Sequence, residues 1–303
     1  MKRIVVLWAF FLGLLSLAQA QGVAVYAALS LEQDRLLPDE IRHLKLSLEN
    51  RSGQDLKIGT TRDWLSFIIL GDKNRVVAPV GTNDVPTGGL KTVPTGETAT
   101  SDFNLTPYFD FRQPGQYTVK ATIKLPQWQE EITTDPVSFT IVNGIPLANM
   151  PVLEVGVPYV RSGEPAMIHR FRLEKSDSPS GAKLYVRVTD RSGSQTWRLT
   201  QLGAYFAYSD PDVKLDRYNV LHVLHQTNAK LFTYCAVDTL GRILVRQTFQ
   251  YTTQRPVLVS DANGDVQIAG GTRVPSENDL PPTGTKQTAP ALNTGFPGSK
   301  LTN

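Results

Sequence analysis

The sequence predicts an all-β protein, with two tandem antiparallel β modules followed by a disordered C-terminal tail. Apolar and polar residues alternate with period two along most of the chain, as in residues 117–125 (YTVKATIKL), which is typical of a half-buried strand. Glycine and proline, 23 and 20 residues, separate these runs at short intervals. Residues 31–44 have the one helix-like pattern, and Pro38 interrupts it, so we expect at most one helical turn there.

The N-terminus has the three-part pattern of a secretory signal peptide. Lys2 and Arg3 precede an apolar run over residues 4–18, and the small residues Ala18 and Ala20 suit a signal peptidase. The run is shorter than the ~20 apolar residues that a membrane-spanning helix needs. We therefore expect residues 1–20 to be removed from an exported bacterial protein, periplasmic or extracellular, with no membrane span in the remaining chain.

Charge and cysteine content exclude several classes of function. The chain has 31 basic and 28 acidic residues, and loss of the first 20 residues leaves 29 against 28, near +1. The sequence lacks the stripe of basic residues that is typical of a nucleic-acid-binding protein. The single cysteine, Cys235, forms no intrachain disulfide, and its apolar surroundings favour a small buried side chain.

The first module is predicted over residues 21–143. Strands are expected near 23–31, 41–49, 64–70, 75–79, 97–105, 117–125 and 137–142. Seven short strands in about 120 residues favour a sandwich of two packed sheets.

Residues 92–126 resemble the second half of bacterial immunoglobulin-like domains. The stretch contains a Pro94-x-Gly96-Glu97 turn before one strand and a Gly115-x-Tyr117-x-apolar step at the start of another. The resemblance implies an immunoglobulin-like sandwich in which the Tyr117 hydroxyl bonds back to backbone. It implies nothing about function, because this architecture hosts many roles. Trp64 is the candidate core tryptophan.

A linker is expected at residues 144–151, and a second β-rich domain at residues 152–271. Strands are expected near 153–160, 167–173, 184–190, 196–202, 204–208, 220–226, 230–237, 242–252, 257–259 and 265–269. Three of them end in Asp-x-x-Gly, at Asp190/Gly193, Asp238/Gly241 and Asp261/Gly264. Each motif predicts a hairpin turn, with glycine supplying a positive φ. A second sandwich is the preferred fold, with an open meander sheet as the alternative.

Residues 272–303 are rich in Pro, Gly, Thr, Ser and Asn, a composition that predicts disorder. Leu280–Gly284 reads LPPTG, which matches a sortase signal. Neither a hydrophobic span nor a basic cluster follows it. We therefore interpret the match as coincidental.

The histidines do not predict a metal site. His222 and His225 lie on a strand-like segment, so they should face opposite sides of a sheet, one on the surface and one partly buried. His169 shares a face with apolar residues and is expected to be a hydrogen-bonded core histidine.

Two acidic segments have the carboxylate side chains that a calcium site needs. Asp261, Asn263 and Asp265 match the first ligand positions of an EF-type calcium loop. The later positions of the loop do not have the required residues, so a hairpin is the preferred interpretation. The loop with Asp210, Asp212 and Asp216 stays open as a weak calcium candidate.

No catalytic signature is present, so the sequence assigns no catalytic residue, no cofactor site and no metal site. Exposed aromatic side chains could stack on sugar rings or on a partner protein; the alternative is that they fill the cores. The candidates are Tyr108, Phe109, Phe111, Trp128, Tyr205, Phe206 and Tyr208. We expect an exported, non-catalytic binding module for an envelope protein or a polysaccharide, with a structural spacer as the alternative and an enzyme as the third class.

Overall fold

The computed structural model describes residues 24–40, 43–81, 85–157, 167–178 and 181–281. The predicted signal peptide and residues 282–303, with most of the LPPTG match, lie outside the described residues. No helix within the described ranges is long and apolar enough to cross a bilayer. The chain there is all-β, as predicted, with one 3₁₀ turn at Asp72–Asn74.

The first module contains ten strands, including the short strands β2, β4, β6 and β9 that the sequence pattern did not predict, whereas the strand expected near 75–79 is reduced to isolated bridges at Val76 and Pro79. They are β1 (Val25–Leu31), β2 (Arg35–Leu36), β3 (His43–Asn50), β4 (Leu56–Ile58), β5 (Leu65–Leu70), β6 (Lys91–Val93), β7 (Thr98–Asn104), β8 (Gly115–Leu125), β9 (Glu130–Thr133) and β10 (Val137–Ile141). The segment 31–44 has no helix among its described residues, but it contains the two-residue strand β2, paired with β10, where the sequence predicted only a loop between two strands.

These strands form a three-stranded sheet, β1-β3-β7, and a five-stranded sheet in which β2-β10-β8-β5 run in order and β9 pairs with β8. The strands β4 and β6 form a separate two-stranded sheet. One apolar core draws on both sheets: β3 contributes Leu44, Leu46 and Leu48, and alternate residues of β8 are buried. The buried aromatic Trp64 belongs to this core, and the Tyr117 hydroxyl donates to the Gln113 carbonyl at 2.8 Å, as expected.

The second module contains twelve strands. They are β11 (Ile145–Pro146), β12 (Leu153–Val157), β13 (Met167–Ser176), β14 (Lys183–Asp190), β15 (Thr196–Ala204), β16 (Asp212–Leu215), β17 (Leu221–Gln226), β18 (Leu231–Val237), β19 (Ile243–Gln250), β20 (Val257–Ser260), β21 (Val266–Ala269) and β22 (Thr272–Val274).

Two five-stranded meanders face each other in this module. One runs β11-β13-β14-β15 with β12 also on β13, and the other runs β16-β17-β18-β19-β22. A common apolar core includes Phe171 and Val186 from the first sheet and Val223 and Val237 from the second. The β20-β21 hairpin covers the other face of the second sheet, where Leu258 packs with residues of β17 and β18. The module is thus a sandwich built from meander sheets.

The predicted Asp-x-x-Gly hairpins are all present. Each glycine N–H donates to the carbonyl of the aspartate three residues earlier, and each glycine has a φ between 77° and 81°. Each aspartate carboxylate also accepts backbone N–H groups of its own turn. A fourth turn of this kind joins β16 to β17, with Asn219 (φ 63°) in the glycine position after Asp216. Asparagine tolerates the left-handed backbone better than most residues.

The second module extends past its predicted boundaries on both sides. Ile145–Pro146, assigned to the linker, pairs as β11 with β13, and Thr272–Val274, assigned to the tail, pairs as β22 with β19. Leu280 exchanges two backbone hydrogen bonds with Arg246. Two or three residues are too few to establish an alternating pattern, and an edge position tolerates Pro146.

A polar contact joins the two modules. The Arg187 side chain on β14 donates to Glu174 of the same sheet (2.8 and 3.1 Å), to Asp39 of the first module (2.8 Å) and to Thr196 (3.0 Å). It also reaches the Pro38 carbonyl at 3.2 Å. All five guanidinium N–H groups therefore have an acceptor. We call these five residues the joint.

An apolar cluster flanks the joint. Leu37 of the first module is fully buried against Tyr185 and Leu199 of the second, and Val142 packs against them. The joint and this cluster lie on the face of the β14 sheet that points away from its own core.

Candidate functional site

The strongest candidate site is the loop that follows β15, residues 205–210, here called the aromatic loop. The sequence predicted a strand over 204–208, but β15 ends at Ala204. The Tyr205 N–H then donates to the Ala182 carbonyl (2.8 Å) and the Phe206 N–H to the Gln226 carbonyl (2.8 Å). The backbone next turns sharply, with the Tyr208 N–H bound to the Phe206 carbonyl. This turn breaks the alternation.

The structure separates the three aromatic candidates of this loop. Tyr205 is buried, 7% exposed, and belongs to the core of the second module. Phe206 and Tyr208 are 45% and 82% exposed. Their ring centroids are 6.3 Å apart with an interplanar angle of 17°. Two near-parallel aromatic rings are thus displayed side by side to solvent.

Side-chain hydrogen bonds hold the loop in place. The Ser209 hydroxyl accepts from the Arg255 guanidinium at 2.7 Å and donates to the Gln226 amide oxygen at 3.3 Å. Asp210 accepts from the Asn149 amide at 3.1 Å. The loop is therefore tied to β17, to the segment after β19 and to the start of the second module, on a rigid sandwich.

Arg255 is bonded to the aromatic loop through Ser209. It is exposed, its guanidinium lies 5.1 Å from the centre of the Phe232 ring, and it forms no ion pair with a described carboxylate. The loop thus combines two exposed ring faces with the exposed side chains of Arg255 and Asn149, which are bonded to Ser209 and Asp210. Such a mixture of stacking surface and hydrogen-bonding groups suits a polar ligand with apolar faces.

The other aromatic candidates serve the core of the first module. Phe109 and Phe111 are buried, and Phe111 packs edge-on against Tyr117 at 5.5 Å. Tyr108 and Trp128 are partly buried against the same core. For these residues the core-filling alternative is the one that the structure supports.

His222 and His225 are both buried, so the prediction of one surface histidine is wrong. His222 contacts the Tyr234 hydroxyl (2.7 Å) and the Asp216 carboxylate (3.1 Å), on the face covered by the β20-β21 hairpin. His225 points to the opposite face, towards Gly203, as the strand geometry predicted. The β20-β21 hairpin covers the face on which a histidine was expected to be exposed, and so buries His222.

His225 is the most isolated of the buried polar groups. Neither ring nitrogen makes a well-formed hydrogen bond with the described residues. Burial lowers its pKa to about 4; the backbone of Ala204 opposes this shift only in part, and Arg246 adds to it. The imidazole is therefore neutral at ordinary pH.

His169 and Cys235 are both buried, as predicted. The Nδ1 atom of His169 lies 2.7 Å from the Thr239 carbonyl, and its ring stacks on Trp197 at 5.7 Å. The Cys235 thiol is buried against the Leu202 carbonyl, and burial raises its pKa to about 11.

The calcium candidate does not assemble. Asp210 binds Asn149, Asp212 accepts from the Leu258 N–H at 2.7 Å, and Asp216 caps its own turn. Over the part of the chain that the structure describes, no three His, Cys, Asp or Glu side chains converge as metal ligands do. Asp261 likewise caps the β20-β21 turn.

Comparisons with known proteins add little. The chain matches no protein-family model and no curated protein. Among solved structures, the sporulation control protein Spo0M from Bacillus subtilis aligns over 57% of this chain and 82% of its own, with 11% identity and a TM-score of 0.27. A likeness this slight supports no inference about the chain.

Proposed function

We propose that the protein is an exported, non-catalytic binding protein that recognises a polysaccharide through the aromatic loop. The observation that carries this proposal is the exposed, near-parallel pair of Phe206 and Tyr208 rings. The C–H faces of a sugar ring are apolar while its hydroxyls are not, so sugars combine stacking on aromatic rings with hydrogen bonds at the ring edges.

The surroundings of the rings support a saccharide over a purely apolar ligand. Ser209 and Asp210 directly follow Tyr208, and they bind the exposed side chains of Arg255 and Asn149, which supply polar groups at this loop. The loop is already fixed by hydrogen bonds and by the buried Tyr205, so binding would order few groups. Pre-ordering of this kind lowers the entropic cost of association.

Export is part of the proposal and rests on residues 1–20, whose basic, apolar and small-residue segments match a secretory signal. We also propose that the first module is an immunoglobulin-like domain that presents the second to its ligand. The support is the hydrogen bond from the Tyr117 hydroxyl to the Gln113 carbonyl, the packed pair of sheets and the parallel pairing of β2 with β10.

A structural spacer is the second candidate, and the joint favours it. A spacer must hold its two ends at a fixed separation, and the fully bonded Arg187 together with the buried Leu37 cluster would resist bending between the modules. A spacer needs no saccharide, whereas the preferred function does.

A glycan array probed with the full chain, followed by affinity electrophoresis in gels containing the retained polysaccharide, tests the proposal. We expect retardation of the native protein and its loss in Tyr208→Ala and Phe206→Ala. The matched control is Tyr26→Ala, which removes a 57% exposed tyrosine of the first module and should leave retardation unchanged. Retardation of all three variants equal to that of the native protein would place saccharide binding outside the aromatic loop, and the absence of any retained glycan would favour the spacer.

A further inference from the structure

The outer edge of β5 in the first module has unused backbone hydrogen-bonding groups. The Lys124 N–H donates to the Trp64 carbonyl at 2.8 Å, so Trp64 faces the neighbouring strand β8. Along a strand successive residues point their backbone groups to opposite sides. Ser66 and Ile68 therefore also face β8, and the N–H and C=O groups of Leu65 and Phe67 point to the outer side.

The chain itself covers only half of this edge. The Val77 N–H donates to the Ile69 carbonyl at 2.9 Å, which confirms that Ile69 faces outward. The chain then leaves the edge at Pro79, which bridges to Phe109 instead. Residues 75–77 cover the outer side of β5 only near its C-terminal end. No strand from the described residues pairs with the outer side of Leu65 and Phe67.

A cleft of about 280 Å³ lies along this open half of the edge. Its walls combine Leu65 and Phe67 with Val85, Tyr108 and Pro79, so they are largely apolar. Phe67 and Tyr108 are only partly buried. Together these form what we call the edge groove: a row of free backbone groups beside an apolar wall.

The charge of the edge groove is not balanced. Arg62 and Asp63 lie among its lining residues. Asp63 is paired with Lys124 at 2.5 Å, whereas Arg62 forms no ion pair with the residues that the structure describes. One unpaired positive charge therefore sits at the end of the groove next to Leu65.

We propose that the edge groove binds an extended segment of a partner protein by strand addition. The segment's backbone pairs with Leu65 and Phe67, its apolar side chains alternate onto the Phe67–Tyr108 wall, and an acidic residue reaches Arg62. An extended chain suits this edge because it alone offers a matching row of donors and acceptors. This site is independent of the aromatic loop.

Amide hydrogen exchange of the full chain, followed by NMR, tests the edge directly. In the free protein the Leu65 and Phe67 amides should exchange at least about tenfold faster than those of Ser66 and Ile68, which are bonded within the sheet. The probe is the blocked peptide Ac-Thr-Val-Thr-Val-Asp-NH2, which should slow exchange at Leu65 and Phe67 alone. The same peptide with Lys in place of Asp should bind about two- to fivefold more weakly.

Arg62→Glu should reverse that preference for the acidic peptide without altering the exchange pattern of the free protein, since Arg62 is exposed. The proposal is overturned if the Leu65 and Phe67 amides are already protected in the free chain, or if neither peptide protects them. Protection that rises with protein concentration alone would overturn it too, because a second copy of the chain would then occupy the edge.

Discussion

The two modules differ most in how they treat buried polar groups. Of the twelve buried polar or charged residues in the described part of the chain, nine belong to the second module, among them Arg187, Glu174 and His225. The first module buries three, Glu40, Asn50 and Thr134. The difference follows from layering: in the second module parts of both sheets are covered on both faces.

A pair of strands illustrates this. In β3 of the first module buried and more exposed residues alternate almost regularly, because one face meets the core and the other meets water. In β17 all six residues are buried, because the core lies on one side and the β20-β21 hairpin on the other. Polar residues of such a strand must find partners inside the protein or remain unsatisfied.

The joint gives the largest expected effect. Arg187→Ala should destabilise the protein by about 3–5 kcal/mol, since it leaves the Glu174 carboxylate buried without its main partner. Urea denaturation monitored by circular dichroism measures the loss. The control, Arg170→Ala, removes a partly exposed pair with Glu154 and should cost about 0–1 kcal/mol. Similar losses in both variants would mean that the joint contributes no more than a surface pair.

His225 predicts a pH dependence. Below about pH 6.5 the unfolded chain takes up a proton at this histidine, whereas the folded chain does not until about pH 4. Stability should therefore fall by about 1.4 kcal/mol per pH unit from pH 6.5 to 4, with no contribution from this residue above that window. Urea titrations of His225→Leu across the same range should lack this slope. An unchanged slope would contradict the burial of a neutral imidazole.

The hairpin glycines give a smaller and more local test. Gly193 (φ 77°) has open space at its Cβ position. Gly193→Ala should therefore lower stability only by the strain of placing alanine in the left-handed backbone conformation, about 1–2 kcal/mol. Gly241 (φ 78°) has Val188 Cγ2 at 2.9 Å from that position, so Gly241→Ala should cost about 1–3 kcal/mol more. Thermal unfolding compares the two. Equal losses would mean that the Gly241 turn does not pack against β14.

The exposed Tyr208 ring of the aromatic loop should contribute least to stability. Because the Tyr208 ring is 82% exposed, Tyr208→Ala should change the free energy of unfolding by less than about 0.5 kcal/mol. Tyr205→Ala removes the buried neighbour and should cost about 3–5 kcal/mol. Chemical denaturation of both variants makes the comparison. A large loss in Tyr208→Ala would show a structural ring rather than a displayed one.

Local features of the fold could be predicted from the sequence. The alternation of β8 and the Asp190, Asp238 and Asp261 turns depend on residues within a few positions of each other, and the structure contains each of them. The fourth turn was missed because the pattern required glycine, although Asn219 adopts the same backbone.

Features that depend on distant residues could not be predicted. Arg187 and Asp39 are 148 positions apart, and no local pattern joins them. The burial of His222 requires a hairpin that follows it in the chain. For the candidate site the sequence named Tyr205, Phe206 and Tyr208 together, but only the turn after Ala204 decides which rings face solvent.

The central claim is that Phe206 and Tyr208 bind a saccharide while the rest of the second module holds them in place. Isothermal titration calorimetry of an oligosaccharide from the retained glycan, against the native protein and Tyr208→Ala, tests it most directly. We predict saturable binding that weakens about tenfold in the variant, equivalent to about 1.4 kcal/mol. Binding of equal affinity in both proteins, or no heat of binding in either, would contradict the claim.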